Sequence, residues 1–193
     1  MGMEIELKYR ASEAQLAALE GAFPGPFRTV RMHTRYYDTP DRAFSRQKLT
    51  LRCRLENGSP VCTLKTPAGP LARGEFELPG SDMEAAAVEL CKLAGLSRLL
   101  PLPEGSLEEV CGARFTRKAL ELHFPEFTAE LALDLGVLTG GGRELSLSEA
   151  ELELKSGSQE ALLAFGQQLE SRFGLIPENK SKFRRALDLA KEV

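Results

Sequence analysis

The pentapeptide Glu4-Ile5-Glu6-Leu7-Lys8 recurs almost unchanged as Glu151-Leu152-Glu153-Leu154-Lys155. Each copy places two carboxylates and an ammonium at every second position, with aliphatic residues between them. In a β-strand, alternate side chains share a face, so Glu4, Glu6 and Lys8 point one way while Ile5 and Leu7 point the other. In a helix, at roughly 100° per residue, Glu4 and Glu6 would lie about 200° apart and the grouping would break up. The repeat therefore selects strands at both ends of the chain. Like charges on one strand face repel, so a chain that does this twice needs something for the carboxylates to hold, and a divalent cation is the first candidate.

The 193 residues suffice for one sizeable core, and one domain over 1–193 is expected. A net charge of −3 argues against general nucleic-acid binding. No apolar run is long enough to span a bilayer, and the acidic N-terminus lacks the apolar stretch of a signal peptide. Cys53, Cys62, Cys91 and Cys111 have no CxxC spacing. Reduced thiols in a cytoplasmic protein are expected.

Local signals predict strands at 3–10, 28–38, 48–56, 60–66, 71–78, 113–124, 127–135 and 144–155. Ser12 with Gln15 reads as a capping box opening a helix to Ala22, ahead of the Pro24-Gly25-Pro26 break. Short helical segments are expected near 41–46 and 107–111. Longer helices are expected from a Ser81 cap to Ala94, over 158–174 and over 180–191. Turns are read at Thr66-Pro67-Ala68-Gly69-Pro70 and Gly140-Gly141-Gly142, and Asn57-Gly58 is a strong type I′ hairpin signal. Eight strands joined mostly by tight turns, with helices at the edges, point to an antiparallel sheet that curls and closes into a barrel.

The hairpin serves as a ruler. With Asn57 and Gly58 at the turn, Glu56 faces Ser59, Arg54 faces Val61, Arg52 faces Thr63 and Thr50 faces Lys65, so Arg52, Arg54 and Lys65 share one face. Cys53 and Cys62 meet on the other. The same parity groups Arg73, Glu75 and Glu77, and also Glu130 with Asp134. A charged face of this kind can be solvent-facing, held by cross-strand ion pairs. Yet six strands carry both signs of charge at alternating positions, dominated by Glu and Arg. In a closed barrel with helices outside, that face becomes the interior. Such an interior is costly to desolvate unless ions and a ligand complete it. Polyphosphate with Mg²⁺ fits: guanidinium forks suit phosphate oxygens, and Mg²⁺ takes few carboxylates plus phosphate and water.

In order, these residues resemble the CYTH superfamily, the triphosphate tunnel metalloenzymes. The resemblance runs through the first ExExK, Tyr36-Tyr37-Asp38-Thr39-Pro40, the RxR of Arg52 and Arg54, Thr63-Leu64-Lys65, Arg73-Gly74-Glu75-Phe76-Glu77 and Phe115-Thr116-Arg117. It continues through the ExxxDxG of Glu130, Asp134 and Gly136, the second ExExK, and Ser181-Lys182 with Arg185. The resemblance implies a mainly β, eight-stranded antiparallel tunnel with flanking helices that binds triphosphate with Mg²⁺ or Mn²⁺. The nearest branch is that of the bacterial inorganic triphosphatases, which implies hydrolysis of tripolyphosphate to pyrophosphate and phosphate. Lys8, Arg52, Arg54, Lys65, Arg73, Arg117, Lys182 and Arg185 are then expected to bind the substrate. Glu4, Glu6, Glu75, Glu77, Glu130, Asp134, Glu151 and Glu153 are expected as metal ligands or their supports, for one or two metals. Lys65, Glu4 and Glu6 are expected nearest the chemistry. A class IV adenylate cyclase, a thiamine or nucleoside triphosphatase and a non-catalytic polyphosphate-binding module remain as alternatives. A monomer or homodimer is expected.

Overall fold

The computed structural model describes residues 2–69, 72–102 and 105–191. Eight long strands form its frame: β1 (Gly2–Arg10), β2 (Arg28–Asp38), β3 (Thr50–Glu56), β4 (Ser59–Pro67), β5 (Ala72–Pro79), β6 (Glu108–His123), β7 (Phe127–Gly140) and β8 (Arg143–Gly157). They pair antiparallel in the order β5-β4-β3-β2-β6-β7-β8-β1, and β1 closes the ring. The first half of β1 pairs with β5, through Glu4 opposite Arg73, and the second half with β8, through Glu6 opposite Glu153 and Lys8 opposite Glu151. The two ExExK strands are thus neighbours. A two-residue strand, β9 (Ile176–Pro177), adds to β1. The result is a closed eight-stranded barrel flanked by four helices: α1 (Glu13–Ala22), α2 (Met83–Leu93), α3 (Gln159–Phe173) and α4 (Lys182–Lys191).

The hairpin register follows the turn: Glu56 faces Ser59, Arg54 faces Val61, Cys53 faces Cys62, Arg52 faces Thr63 and Thr50 faces Lys65. Asn57 and Gly58 take the positive φ values of 50° and 92° that a type I′ turn requires. The Ser12–Gln15 capping box is present, with the Ser12 side chain accepting from the Gln15 N–H and the Gln15 side chain accepting from the Ser12 N–H.

Three local expectations change. Asp82, not Ser81, caps α2, its carboxylate accepting from the Ala85 N–H at 3.1 Å. No helix forms at 107–111, because β6 begins at Glu108 and pairs there with Asp38 of β2, past a register shift at Tyr36/Tyr37. A long-range ladder outweighs a short segment's local preference. Near 41–46 the chain turns and then forms one 3₁₀ turn at Ser45–Gln47. The buried Asp38 carboxylate organises this stretch by accepting from the N–H groups of Thr39, Phe44 and Ser45. Pro70 of the expected turn and Leu71 at the start of the expected fifth strand lie outside the described residues, as do Met1, 103–104 and 192–193.

The apolar cores lie outside the barrel wall. The aliphatic partners of the ExExK charges, with Leu131, Leu133 and Leu152, pack under α1 and α3. Leu51, Cys53, Cys62 and Leu64 pack under Leu90 and Cys91 of α2. Each fully buried leucine contributes on the order of 1.5–3 kcal/mol. The third cluster differs. Tyr36, Ala113, Leu138 and Leu147 belong to the inward-facing parity, and Phe183, Ala186 and Leu187 of α4 pack onto them. This collar seats α4 over one end of the barrel.

Candidate active site

Apolar residues covered from outside leave the alternate residues facing inward, where they enclose a cavity of about 510 Å³. Glu4, Glu6, Lys8, Arg52, Arg54, Lys65, Arg73, Arg117, Glu151, Glu153 and Lys182 all line it. They come from six strands and α4. Glu75, Glu77, Glu130, Asp134 and Arg185 do not line that cavity and stand among the residues that do. Glu75 meets Arg52 at 3.1 Å and Lys65 at 3.3 Å. Glu77 accepts from the Thr63 hydroxyl at 3.1 Å. Glu130 reaches Arg28 at 3.3 Å.

At the α4 end, charge is balanced within the protein. Arg117 makes a two-pronged bond to Asp134, at 2.8 and 2.7 Å, and also contacts Glu151. The Lys182 ammonium lies 2.8 Å from both Asp134 and Glu151 and contacts Glu149. Burial alone would lower the Lys182 pKa, but Asp134, Glu151 and Glu149 outweigh it and raise it. Burial alone would raise Glu151; Lys182 and Arg117, with Lys8 beyond them, hold it well below the usual carboxylate range. Asp134, Glu149 and Glu151 bring carboxylate oxygens within 4.8 Å of one another, a spacing that a metal ion can bridge. Lys182 supplies positive charge among them.

Elsewhere burial disfavours several charges that are paired, Arg52 with Glu75 and Arg54 with Glu56. Burial lowers the pKa of the Arg54 guanidinium, and Arg52 and Arg117 lower it further against the pull of Glu56. The Nε atoms of Arg52 and Arg54 are buried and have no hydrogen-bond partner among the described residues. Burial raises the Glu153 carboxyl, and Glu4 and Glu130 add to the rise despite Lys155. The strands β3 and β8 that carry these groups are diametrically opposite in the ring. One wall thus carries guanidiniums with unused N–H donors, and the facing wall carries a carboxyl that burial disfavours although Lys155 lies 2.8 Å away.

The remaining lumen ion pairs join opposite signs directly: Lys65 with Glu4 at 2.5 Å and Lys8 with Glu6 at 2.6 Å. Sequence reasoning missed Glu149, which is fully buried between Lys182 and Arg185 of α4. The signal was present, since Glu149 extends the alternation of Glu151 and Glu153 by one step. It also missed Phe115, whose ring lies 5.1 Å from the Lys182 ammonium and 5.8 Å from the Arg117 guanidinium. Nothing in the Phe-Thr-Arg triplet announces that contact.

The CYTH domain profile matches residues 2–187. The chain belongs to the CYTH family. An inorganic triphosphatase from Haemophilus influenzae is 32% identical over 154 residues, covering 78% of this chain and 43% of that protein. The chain therefore spans less than half the length of this relative. Among solved structures, a Hippeastrum adenylyl cyclase candidate with a dominant triphosphatase activity superposes with a TM-score of 0.66 at 18% identity, covering 100% of this chain and 98% of that one. A Pyrococcus horikoshii protein matches with a TM-score of 0.66 at 23% identity, over 96% of this chain and 99% of that one. At these identities the superpositions establish the CYTH tunnel fold. Among the described residues, no helix is long and apolar enough to cross a membrane.

Proposed function

We propose that this CYTH protein hydrolyses inorganic tripolyphosphate to pyrophosphate and phosphate inside the tunnel. The observation that carries the reading is the gathering of partly buried charges of both signs on facing walls of one cavity: Arg52 and Arg54 on β3, with unused Nε–H donors, and Glu153 on β8, whose carboxyl burial raises. A compact polyanion accompanied by divalent cations relieves both, and neither alone does. The kinship with the Haemophilus inorganic triphosphatase supports the same substrate.

Arg52 and Arg54 bind the triphosphate from one side, presenting guanidinium forks that match phosphate oxygens. Lys8, Lys65 and Arg73 reach it from the neighbouring strands. Arg117, Lys182 and Arg185 hold the end under α4. Lys65 is placed at the transferred phosphoryl group, where its ammonium offsets charge that grows in the transition state. Glu4, Glu6 and Glu153 fit a divalent cation, Mg²⁺ or Mn²⁺, because they are oxygen donors and because burial, with Glu4 and Glu130 nearby, raises the Glu153 carboxyl, which a cation would relieve. Such a cation would supply neutralisation of phosphate oxygens and a more acidic attacking water. Glu75, Glu77 and Glu130 orient the cations and ligands around them, and Asp134 orients Arg117. No side-chain nucleophile is required. His33 and His123 are absent from the cavity lining, and His123 pairs with Glu121 instead.

The test is phosphate release from tripolyphosphate, ATP and thiamine triphosphate, each with Mg²⁺, Mn²⁺ and Ca²⁺. The expected result is metal-dependent release, fastest from tripolyphosphate. Cyclic AMP from ATP would instead identify a cyclase. Tight tripolyphosphate binding with no release under any metal would identify a binding module.

A further inference from the structure

Glu149 precedes the second ExExK by two residues and shares its inward face, yet it does not line the cavity. It is fully buried. One carboxylate oxygen contacts the Lys182 ammonium and the other contacts an Arg185 guanidinium nitrogen. Lys182 and Arg185 lie three residues apart on α4, so their side chains leave the helix on one face, and Glu149 joins the two. The apolar collar under Phe183, Ala186 and Leu187 sets where the helix sits. It does not orient the long polar side chains, which have many rotamers.

We propose that Glu149 is a positioning residue for the phosphate clamp, holding Lys182 and Arg185 side by side at the α4 end of the tunnel so that both present N–H groups to the same phosphoryl group. The inference rests on the assignment of these two cations to triphosphate binding. Asp134 and Glu151 also touch Lys182, but among the described contacts Glu149 alone bridges Lys182 to Arg185. The Arg185 Nε is buried and has no hydrogen-bond partner among the described residues, so Glu149 holds only part of its fork.

Removing the charge of Glu149 would alter the field on every nearby cation. The informative variant is therefore Glu149→Asp, which keeps the charge and withdraws the carboxylate by one methylene. Tripolyphosphate binding to the full chain is measured calorimetrically in EDTA, where metal-dependent turnover is absent. The expected result is a Kd about tenfold weaker than wild type, the scale of one charge-assisted hydrogen bond. The same substitution in a Lys182→Gln/Arg185→Gln background is expected to change Kd less than twofold. An unchanged Kd in Glu149→Asp overturns the proposal. So does an equal loss in both backgrounds, which would mean that Glu149 acts through the barrel and not through these cations. Should Glu149→Asp not fold, Arg185→Lys carries the test, because it keeps the charge and loses the fork. Severalfold weaker binding is expected there, and wild-type affinity overturns the proposal. A wild-type chain that neither binds nor hydrolyses tripolyphosphate overturns the functional reading and this inference together. Wild-type binding with an indifferent Glu149 overturns this inference alone.

Discussion

The Lys65 ammonium lies 2.5 Å from the Glu4 carboxylate, reaching across β5 from β4 to β1. In the proposed reaction the two part company, Lys65 turning to phosphate and Glu4 to a divalent cation. The ion pair therefore links the two ligands, since whichever binds first frees a group for the other. Lys8 and Glu6 repeat the arrangement at 2.6 Å.

Lys65→Gln is expected to bind Mn²⁺ severalfold more tightly than wild type in the absence of phosphate, because Glu4 loses its internal partner. Its phosphate release is expected to fall by about 100-fold or more, the usual cost of losing a group that stabilises transition-state charge. Mn²⁺ titration followed by electron paramagnetic resonance, alongside a phosphate assay, checks both. Weaker Mn²⁺ binding by the variant would contradict the linkage.

Glu6→Gln is expected to abolish metal-dependent turnover while leaving the far-ultraviolet circular dichroism unchanged. Glu6 lies in the lumen and contributes nothing to the apolar clusters outside the wall. Near-normal hydrolysis would remove Glu6 from the metal site.

Arg54→Ala is expected to raise KM about 10- to 100-fold with a smaller effect on kcat, since charge-assisted hydrogen bonds contribute roughly 1.5–3 kcal/mol. Burial and Arg52 disfavour the Arg54 charge while Glu56 and Glu77 pair with it, so the free variant is expected to melt close to wild type. Steady-state kinetics and a thermal melt test the two halves separately.

The Glu151 carboxyl is depressed far below its ordinary value of 4.5, because Lys182 and Arg117 outweigh its burial. A depressed carboxylate contributes stability that is present above its unfolded pKa and is lost as pH falls through the folded one. Glu151→Gln is therefore expected to melt below wild type at neutral pH, with the gap narrowing as pH falls below about 4.5. Melting curves from pH 7 to pH 3 measure it. A gap that widens toward acid would refute the assignment.

Gly136 faces Phe115 in the antiparallel β6–β7 ladder, and a Cβ there would lie 2.2 Å from the Arg114 carbonyl oxygen and 2.5 Å from the Phe115 Cα. Backbone cannot yield as a side chain can. Gly136→Ala is expected to cost at least the ~1–3 kcal/mol typical of overpacking. It is also expected to displace Phe115 and, with it, Arg117. Urea denaturation reads the first effect and tripolyphosphate KM the second.

Alternation is a local property, so the sequence by itself determined the eight strands apart from some of their ends, which side chains share a face and, through the Asn57-Gly58 turn, how Arg52, Arg54 and Lys65 align. It also determined that the inward face would be charged. Partnership is not local. Glu151 and Lys182 are 31 residues apart, and Glu4 and Lys65 are 61 apart. Only ring closure by β1 and the seating of α4 on its apolar collar decided which carboxylate meets which cation. The β2–β6 pairing turned 107–111 from a plausible helical turn into the start of β6, because Asp38 and Tyr37 offered a ladder there. The seating of α4 drew Glu149 between Lys182 and Arg185. A lone glutamate beside a recognisable motif carries no sign of its partners, because what pairs with a buried charge is set by the helix that arrives over it.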